Sequence, residues 1–589
     1  MCFRVLATAT HRGGAIVATY DILVKGGTIV DGTLTPRYVS DLAIKDGKIA
    51  QIGGLKSSTA DKVLDASGLI VAPGFVDLHT HYDAQIQWDP YCTLSGWHGV
   101  TSVAIGNCGF GFAPCAPKDR DRTMLSLSRN EAIPLKSMQE GMRWDWTTFP
   151  EFLDSLERIP KGINVISYVP LTPLYGYVMG WDDAKRRRPT EAELKEMLRL
   201  VHEGMDAGAC GWSAQVTGAS SAQRDYDGTP MITDLMTNEE ILAFARVLGE
   251  RDEGFIELAY RETGEEGQVL EDVVMNFFEQ VAQAANRPVL YQAVSAVANN
   301  PDIFRMRLRW LEDCAKRGVR VYGQGITTRG SFELTFEDWN LFDQSPYWRE
   351  VTLGTPEVRK QKMQDPALRR KLREEWDSGF RPGNTIGSVA GLIVEEVGDP
   401  AFEHYEGMSI ADIAEKEGKH IVDAVLDLAV ADNLQTEFLA MNARDNPDYA
   451  AEVLHSPHVI AGLSDGGAHV KFLTFGAYPT DLLIWLVREE QVLSLELAHH
   501  KLSYLPAFFG GFRDRGFLRE GAPADIVVYD LENLKLLPSE TITDLPGNEW
   551  RRIQRSEGYR WTLVNGDITF EDGEPTGAMS GKLLRHGKG

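Results

Sequence analysis

Cysteine is scarce in this chain and never paired at short spacing: six cysteines (Cys2, Cys92, Cys108, Cys115, Cys210 and Cys314) lie scattered over 589 residues, with no CxxC. That pattern excludes a disulfide framework and points to a reducing compartment. No continuous apolar run is long enough to span a bilayer, and residues 1–20 carry Arg4, His11 and Arg12 where a secretory leader needs an unbroken apolar stretch. The expected location is cytoplasmic. Basic charge is also in short supply. Lys and Arg total 60 against 85 Asp and Glu, a formal net charge of −25, so nucleic acid and anionic membranes are repelled at long range. A small-molecule substrate is the partner left, and a homo-oligomer stays open.

What is present is apolar content enough for a large core (43% hydrophobic), in a chain too long for one compact unit. Residues 20–72 read as short strands punctuated by Gly26-Gly27, Asp31-Gly32 and Asp46-Gly47. Asp-Gly between β-prone runs is a strong hairpin signal. Residues 521–589 repeat the pattern, with a strand over Pro523–Asp530 and turns at Asn565-Gly566 and Asp572-Gly573. Neither terminal piece can hold a core alone, so the two are expected to share one β-sandwich. Between them, eight strand-like runs alternate with helical stretches: 74–78, 100–105, 164–169, 210–214, 254–258, 288–291, 319–322 and 459–463. The expected fold is α/β: a distorted TIM-type (β/α)8 barrel, a small β-sandwich domain built from both termini, and a helical insertion. The divisions are 1–72 and 521–589 for the sandwich, 73–329 for barrel strands one to seven, 330–455 for the insertion over the barrel mouth, and 456–520 for strand eight and the helices after it.

The chemistry starts at His79-Thr80-His81, directly after the first barrel strand. Residues i and i+2 of a strand share a face, so both imidazoles converge at the C-terminal end of the barrel, where such enzymes place catalysis. Imidazole is the commonest metal ligand near neutral pH. Ser464-Asp465-Gly466-Gly467-Ala468-His469 follows the last strand. Asp465 there can complete a metal shell, act as general base toward a metal-activated water, and return the proton to the leaving group. Its bland alternative is a cap on a Gly-rich turn. His469 fits a ligand, a substrate contact or an outer hydrogen-bond donor. Gly106-Asn107-Cys108-Gly109 ends the second strand; Cys108 can reach the metal as a thiolate or sit as a small buried residue. His202, His499 and His500 read as histidines of solvated helices.

These residues carry a resemblance. Pro73-Gly74-Phe75-Val76-Asp77-Leu78-His79-Thr80-His81 resembles the first metal motif of the amidohydrolase superfamily. His98-Gly99-Val100-Thr101-Ser102-Val103 leading into Gly106-Asn107-Cys108-Gly109, the segment Leu463 to Val470, Gly521-Ala522-Pro523-Ala524-Asp525 and Thr576-Gly577-Ala578 are similar to its N-acyl-D-amino-acid deacylase branch. The resemblance covers nearly the whole chain. It implies zinc-dependent removal of an N-acyl group, with His79, His81, Cys108 and Asp465 at family positions. Two further metal histidines of that branch are missing: the ends of strands five and six read Glu257-Leu258-Ala259-Tyr260 and Tyr291-Gln292-Ala293. No lysine ends strand four. One zinc held by His79, His81, Asp465 and Cys108 is therefore expected, another divalent metal being chemically compatible. Glu257, Gln292 and Gln324, with His469, are the candidate substrate contacts. The missing histidines also keep open a metal-dependent lyase or acyl-transfer reaction on the same scaffold.

Overall fold

The computed structural model describes residues 19–218, 221–263, 269–298, 300–337, 342–380, 388–440 and 444–586; Cys2 lies outside them. The terminal pieces meet in one nine-stranded sheet. Ile526–Tyr529 pairs antiparallel with Ile70–Pro73 on one side and with Tyr559–Val564 on the other, so strands from the two ends of the chain are hydrogen-bonded neighbours. The turns fall where the Xaa-Gly pairs place them. Lys45 pairs with Lys48 around Asp46 and Gly47, at φ +51° and +75°, and Val564 with Asp567 around Asn565 and Gly566, at +47° and +91°. Left-handed backbone at both turn residues matches the twist of the flanking strands. The expected sandwich thus appears as a single sheet whose apolar side buries Ile22, Val24, Leu42, Ile44, Ile526 and Leu563.

The eight apolar runs form parallel ladders. Phe75–Asp77, Val100–Ile105 and Asn164–Ser167 make a three-stranded sheet; Val169–Pro170, Gly211–Val216, Phe255–Tyr260, Val289–Ser295, Val321–Ile326 and Val459–Ala461 make a six-stranded one. The third run is split at Tyr168: its first half pairs with the second strand and its last residues with Trp212 and Ser213. A barrel closed by continuous hydrogen bonding is not what the described residues form. In place of a first-to-last ladder, one parallel bridge joins Thr80 to Gly466, beyond the C-terminal ends of both strands. Phe75–Asp77 and Val459–Ala461 have only three residues each, too few to pair along their length.

Helices cover these ladders, and their limits follow local chemistry. Glu191–Ala207 opens on a Thr190/Glu193 capping box and stops at Gly208, φ +110°, where a glycine permits the left-handed residue that ends a helix. The stretch 330–455, expected to be helical, also holds an antiparallel sheet: Glu437–Ala440 lies between Phe332–Leu334 and Ile393–Glu396. Alternation explains the strand, since Phe438 and Ala440 are buried while Glu437 and Leu439 are half-exposed. This segment has its own core, around Trp348, Met363, Leu372, Val425 and Phe438, continued by Phe472, Leu473 and Phe475 from beyond the last strand. No helix among the described residues is long and apolar enough to cross a membrane.

Candidate active site

The ends of the first, second and last parallel strands meet at one point. His79 and His81 project from the same side of extended backbone, their ring centroids 5.5 Å apart. Their main chain is pinned: the His79 N–H donates to Asp77 Oδ1 (3.0 Å), the His81 N–H to the Gly466 carbonyl (2.7 Å), and Asn107 Nδ2 to the Thr80 carbonyl (2.9 Å). The last-strand turn passes so close that a Cβ on Gly467 (φ +90°) would lie 2.8 Å from the His81 carbonyl oxygen, which only glycine avoids. Cys108, Asp465 and His469 have φ of +56°, +51° and +52°, a conformation costing an L-residue about 1–2 kcal/mol. Such backbone re-aims side chains and concentrates at functional sites.

The side chains converge accordingly. Asp465 Oδ1 is 3.2 Å from His79 Nε2 and 3.6 Å from His81 Nε2. Cys108 Sγ is 3.5 Å from the same His79 nitrogen and 3.7 Å from Gln292 Oε1. On its far side His79 Nδ1 stands 3.0 Å from Gln324 Oε1; a proton donated there leaves the Nε2 lone pair facing Asp465 and Cys108. Glu257 accepts the Cys108 N–H at 2.8 Å, and its other oxygen is 3.8 Å from His79 Nδ1.

Acidic groups dominate the electrostatics. Asp77, Asp83, Glu131 and Glu257 are buried around the two imidazoles. Burial by itself pulls the His81 pKa down, yet Glu131, Asp465 and Asp83 outweigh it and bring the value to about 9. Burial is likewise overcome at His79, raised by Asp465 and Glu257, and at Asp465, which the two imidazoles hold well below the carboxylate range. Burial, reinforced by Glu257, Glu131 and Asp465, pushes the Cys108 thiol well up. Burial raises Asp77 and Asp83 to about 6. A divalent cation is the complement of this cluster: it offsets the carboxylates and takes the proton off a coordinating thiol. Glu257 Oε1 and Glu131 Oε2 are buried with no hydrogen-bond partner among the described residues, an arrangement that costs free energy unless a cation or water answers it. The nitrogen, oxygen and sulfur donors fit zinc.

Beside the cluster is a cavity of about 310 Å³. Asp465, His469 and Gln292 line it, together with Arg261, Arg444, Phe332, Phe472 and Phe475. Phe332 and Arg444 come from the segment between the seventh and last parallel strands. Arg444 is 3% exposed, and burial lowers its pKa to about 10. Of the residues expected from sequence, His79, His81, Cys108 and Asp465 are brought together. His469 and Gln292 face the cavity, whereas Glu257 and Gln324 are fully buried behind His79. His98 stands apart, its ring bridging Thr480 Oγ1 and the Gln554 carbonyl. His499 is not solvated but buried, with Nε2 2.7 Å from Tyr529 Oη. Sequence patterns pass over Glu131, Arg444 and Phe332, which belong to no motif and arrive through long-range packing.

The profile of the Amidohydrolase family matches residues 62–570. The chain belongs to the amidohydrolase family. This amidohydrolase is an enzyme that hydrolyses C–N bonds of the amide type. It is similar to an uncharacterized protein of Mycobacterium tuberculosis (28% identity, covering 97% of this chain and 96% of the relative). It is also similar to the D-aminoacylase of Alcaligenes xylosoxydans xylosoxydans (27% identity; 96% and 97%). Among solved structures, the N-acyl-D-glutamate deacylase of Bordetella bronchiseptica, complexed with zinc and a phosphonate inhibitor, shares its fold with a TM-score of 0.64 at 23% identity, over 96% of this chain and all of that one (100%).

Proposed function

We propose that this amidohydrolase removes the acyl group from an N-acylated amino acid, with one zinc held by His79, His81, Cys108 and Asp465. The observation that carries the proposal is the position of Asp465. Its Oδ1 lies within 3.6 Å of both imidazoles, and its side chain also reaches the cavity. Zinc bound there would supply a Lewis acid toward the scissile carbonyl and make water a nucleophile near neutral pH. Asp465 takes the proton of the attacking water and delivers it to the leaving nitrogen. Gln324 orients His79. Arg444, with the exposed Arg261, offers charge-assisted hydrogen bonds to a carboxylate, and Phe332, Phe472 and Phe475 give an apolar wall for the acyl chain. The eight parallel strands belong in this reading to one distorted barrel, residues 330–455 to an insertion at its mouth, and the terminal strands to an accessory β domain. The relatives named deacylases support the substrate class.

The test is release of free amine from a panel of N-acetyl and N-formyl amino acids of both hands by zinc-loaded enzyme. No release from any member would sink the substrate class. On a substrate that turns over, Arg444→Ala is expected to raise KM about 10- to 100-fold, the loss of one charge-assisted hydrogen bond of about 1.5–3 kcal/mol. An unchanged KM would remove Arg444 from carboxylate recognition. Gln324→Leu is expected to weaken zinc binding about 10- to 100-fold, as loss of an outer-sphere partner to a ligating imidazole does; chelator competition reads it directly.

A further inference from the structure

The strands Lys535–Leu545 and Glu549–Glu557 form an antiparallel hairpin apart from the nine-stranded sheet. From the second of them Arg552 reaches into the segment between the seventh and last parallel strands. Its Nη1 is 2.6 Å from Glu333 Oε2 and its Nη2 2.5 Å from Glu437 Oε1. One guanidinium therefore clamps two paired strands, Phe332–Leu334 and Glu437–Ala440, with its side chain only 9% exposed. The carboxylates of Glu333, Glu395 and Glu437 lie within 4.8 Å of one another, so removing the cation would leave like charges crowded together. The same hairpin strand holds the turn after the last parallel strand. The Arg552 N–H donates to the Val470 carbonyl at 2.8 Å, the Glu333 N–H to the Phe472 carbonyl at 3.3 Å, and Thr474 Oγ1 to Gln554 Oε1 at 3.1 Å.

These ties end on the aromatic wall of the cavity. Strand alternation turns Phe332 to the side opposite Glu333, and Phe332, Phe472 and Phe475 line the cavity. The rings of Phe332 and Phe475 meet edge to face, 5.2 Å between centroids. Each of the three phenylalanines is itself bonded to, or one residue from, a group that Arg552 or its strand holds. We propose that Arg552 is a positioning residue: from outside the cavity it sets the aromatic wall, and through that wall the length of acyl chain the enzyme accepts. What packs against the wall rests on the N-acyl reading above, whereas the clamp stands on the ion pairs alone. A guanidinium fork answers two carboxylates at once, which the single ammonium of lysine does less well.

The experiment compares zinc-loaded full-length wild type, Arg552→Ala and Arg552→Lys on the N-acetyl and N-hexanoyl forms of one amino acid that the wild type hydrolyses. Arg552→Ala is expected to raise KM for the hexanoyl substrate about 10-fold, the scale on which an apolar pocket discriminates, while kcat on the acetyl substrate stays within about twofold. Arg552→Lys is expected to recover part of the loss. Equal changes on both substrates, or none, in a folded Arg552→Ala protein overturn the specificity role. Hydrogen exchange read by mass spectrometry needs no substrate: residues 330–334 and 470–475 are expected to exchange faster in Arg552→Ala, and unchanged rates there overturn the clamp. If the wild type hydrolyses no N-acyl amino acid and exchange still quickens, the acyl-length role falls with the N-acyl reading and the clamp stands.

Discussion

Asp465→Asn is expected to lower kcat by about 10²–10⁴-fold, the range general acid–base groups contribute, on any substrate the wild type hydrolyses. The substitution keeps the size and one oxygen of the side chain and removes its basicity. Asp465 is suited to the role because it combines two attributes that are separate elsewhere in the cluster. Its oxygen faces both imidazoles, and it lines the substrate cavity, whereas Glu257 and Glu131 are buried without reaching that surface. Steady-state kinetics with zinc content measured on the same sample separates lost base from lost metal. A variant that retains zinc and most of its rate would show that another group moves the proton.

The second large effect belongs to the imidazoles. His79→Ala/His81→Ala is expected to purify with its catalytic zinc lost and with activity down by about 10³-fold or more, because a catalytic metal contributes several kcal/mol of transition-state stabilisation. The two rings are 1–2% exposed and wedged among carboxylates, so truncation also leaves Asp465 and Glu257 without their positive partners. Circular dichroism and a thermal melt distinguish a folded, metal-poor protein from an unfolded one. Folded double variant with wild-type zinc content would place the metal on other residues.

The parts of this molecule legible in its sequence are those set by neighbours along the chain. Asp46-Gly47 and Asn565-Gly566 require left-handed backbone, and the turns occur there. His79 and His81 share a face because extended backbone alternates, and the Gly-rich segment around Asp465 permits the turn that meets them. The rest depends on which distant segments touch. Glu131 approaches His81 and His469 only because the helix end and the last-strand turn are hydrogen-bonded across 338 positions (469 − 131). Arg444 and Phe332 reach the cavity through the packing of the segment beyond the seventh parallel strand, whose strands are too short and too charged to stand out from its helices. Glu257 and Gln324, expected at strand ends, lie inside the strands Phe255–Tyr260 and Val321–Ile326, whose inner face carries them toward His79 and not to the cavity wall. The meeting of the first and last parallel strands is also non-local: their ends approach through the Thr80–Gly466 bridge, without a ladder between the two three-residue strands.

Hydrolysis at this site is tested most directly by running the reaction in ¹⁸O-labelled water on an N-acylated amino acid and weighing the released carboxylate by mass spectrometry. One labelled oxygen in the carboxylate is expected with wild type, and its formation is expected to slow by about 10²–10⁴-fold with Asp465→Asn. Turnover that leaves the product unlabelled would contradict hydrolysis and assign the chemistry to a lyase or an acyl transfer.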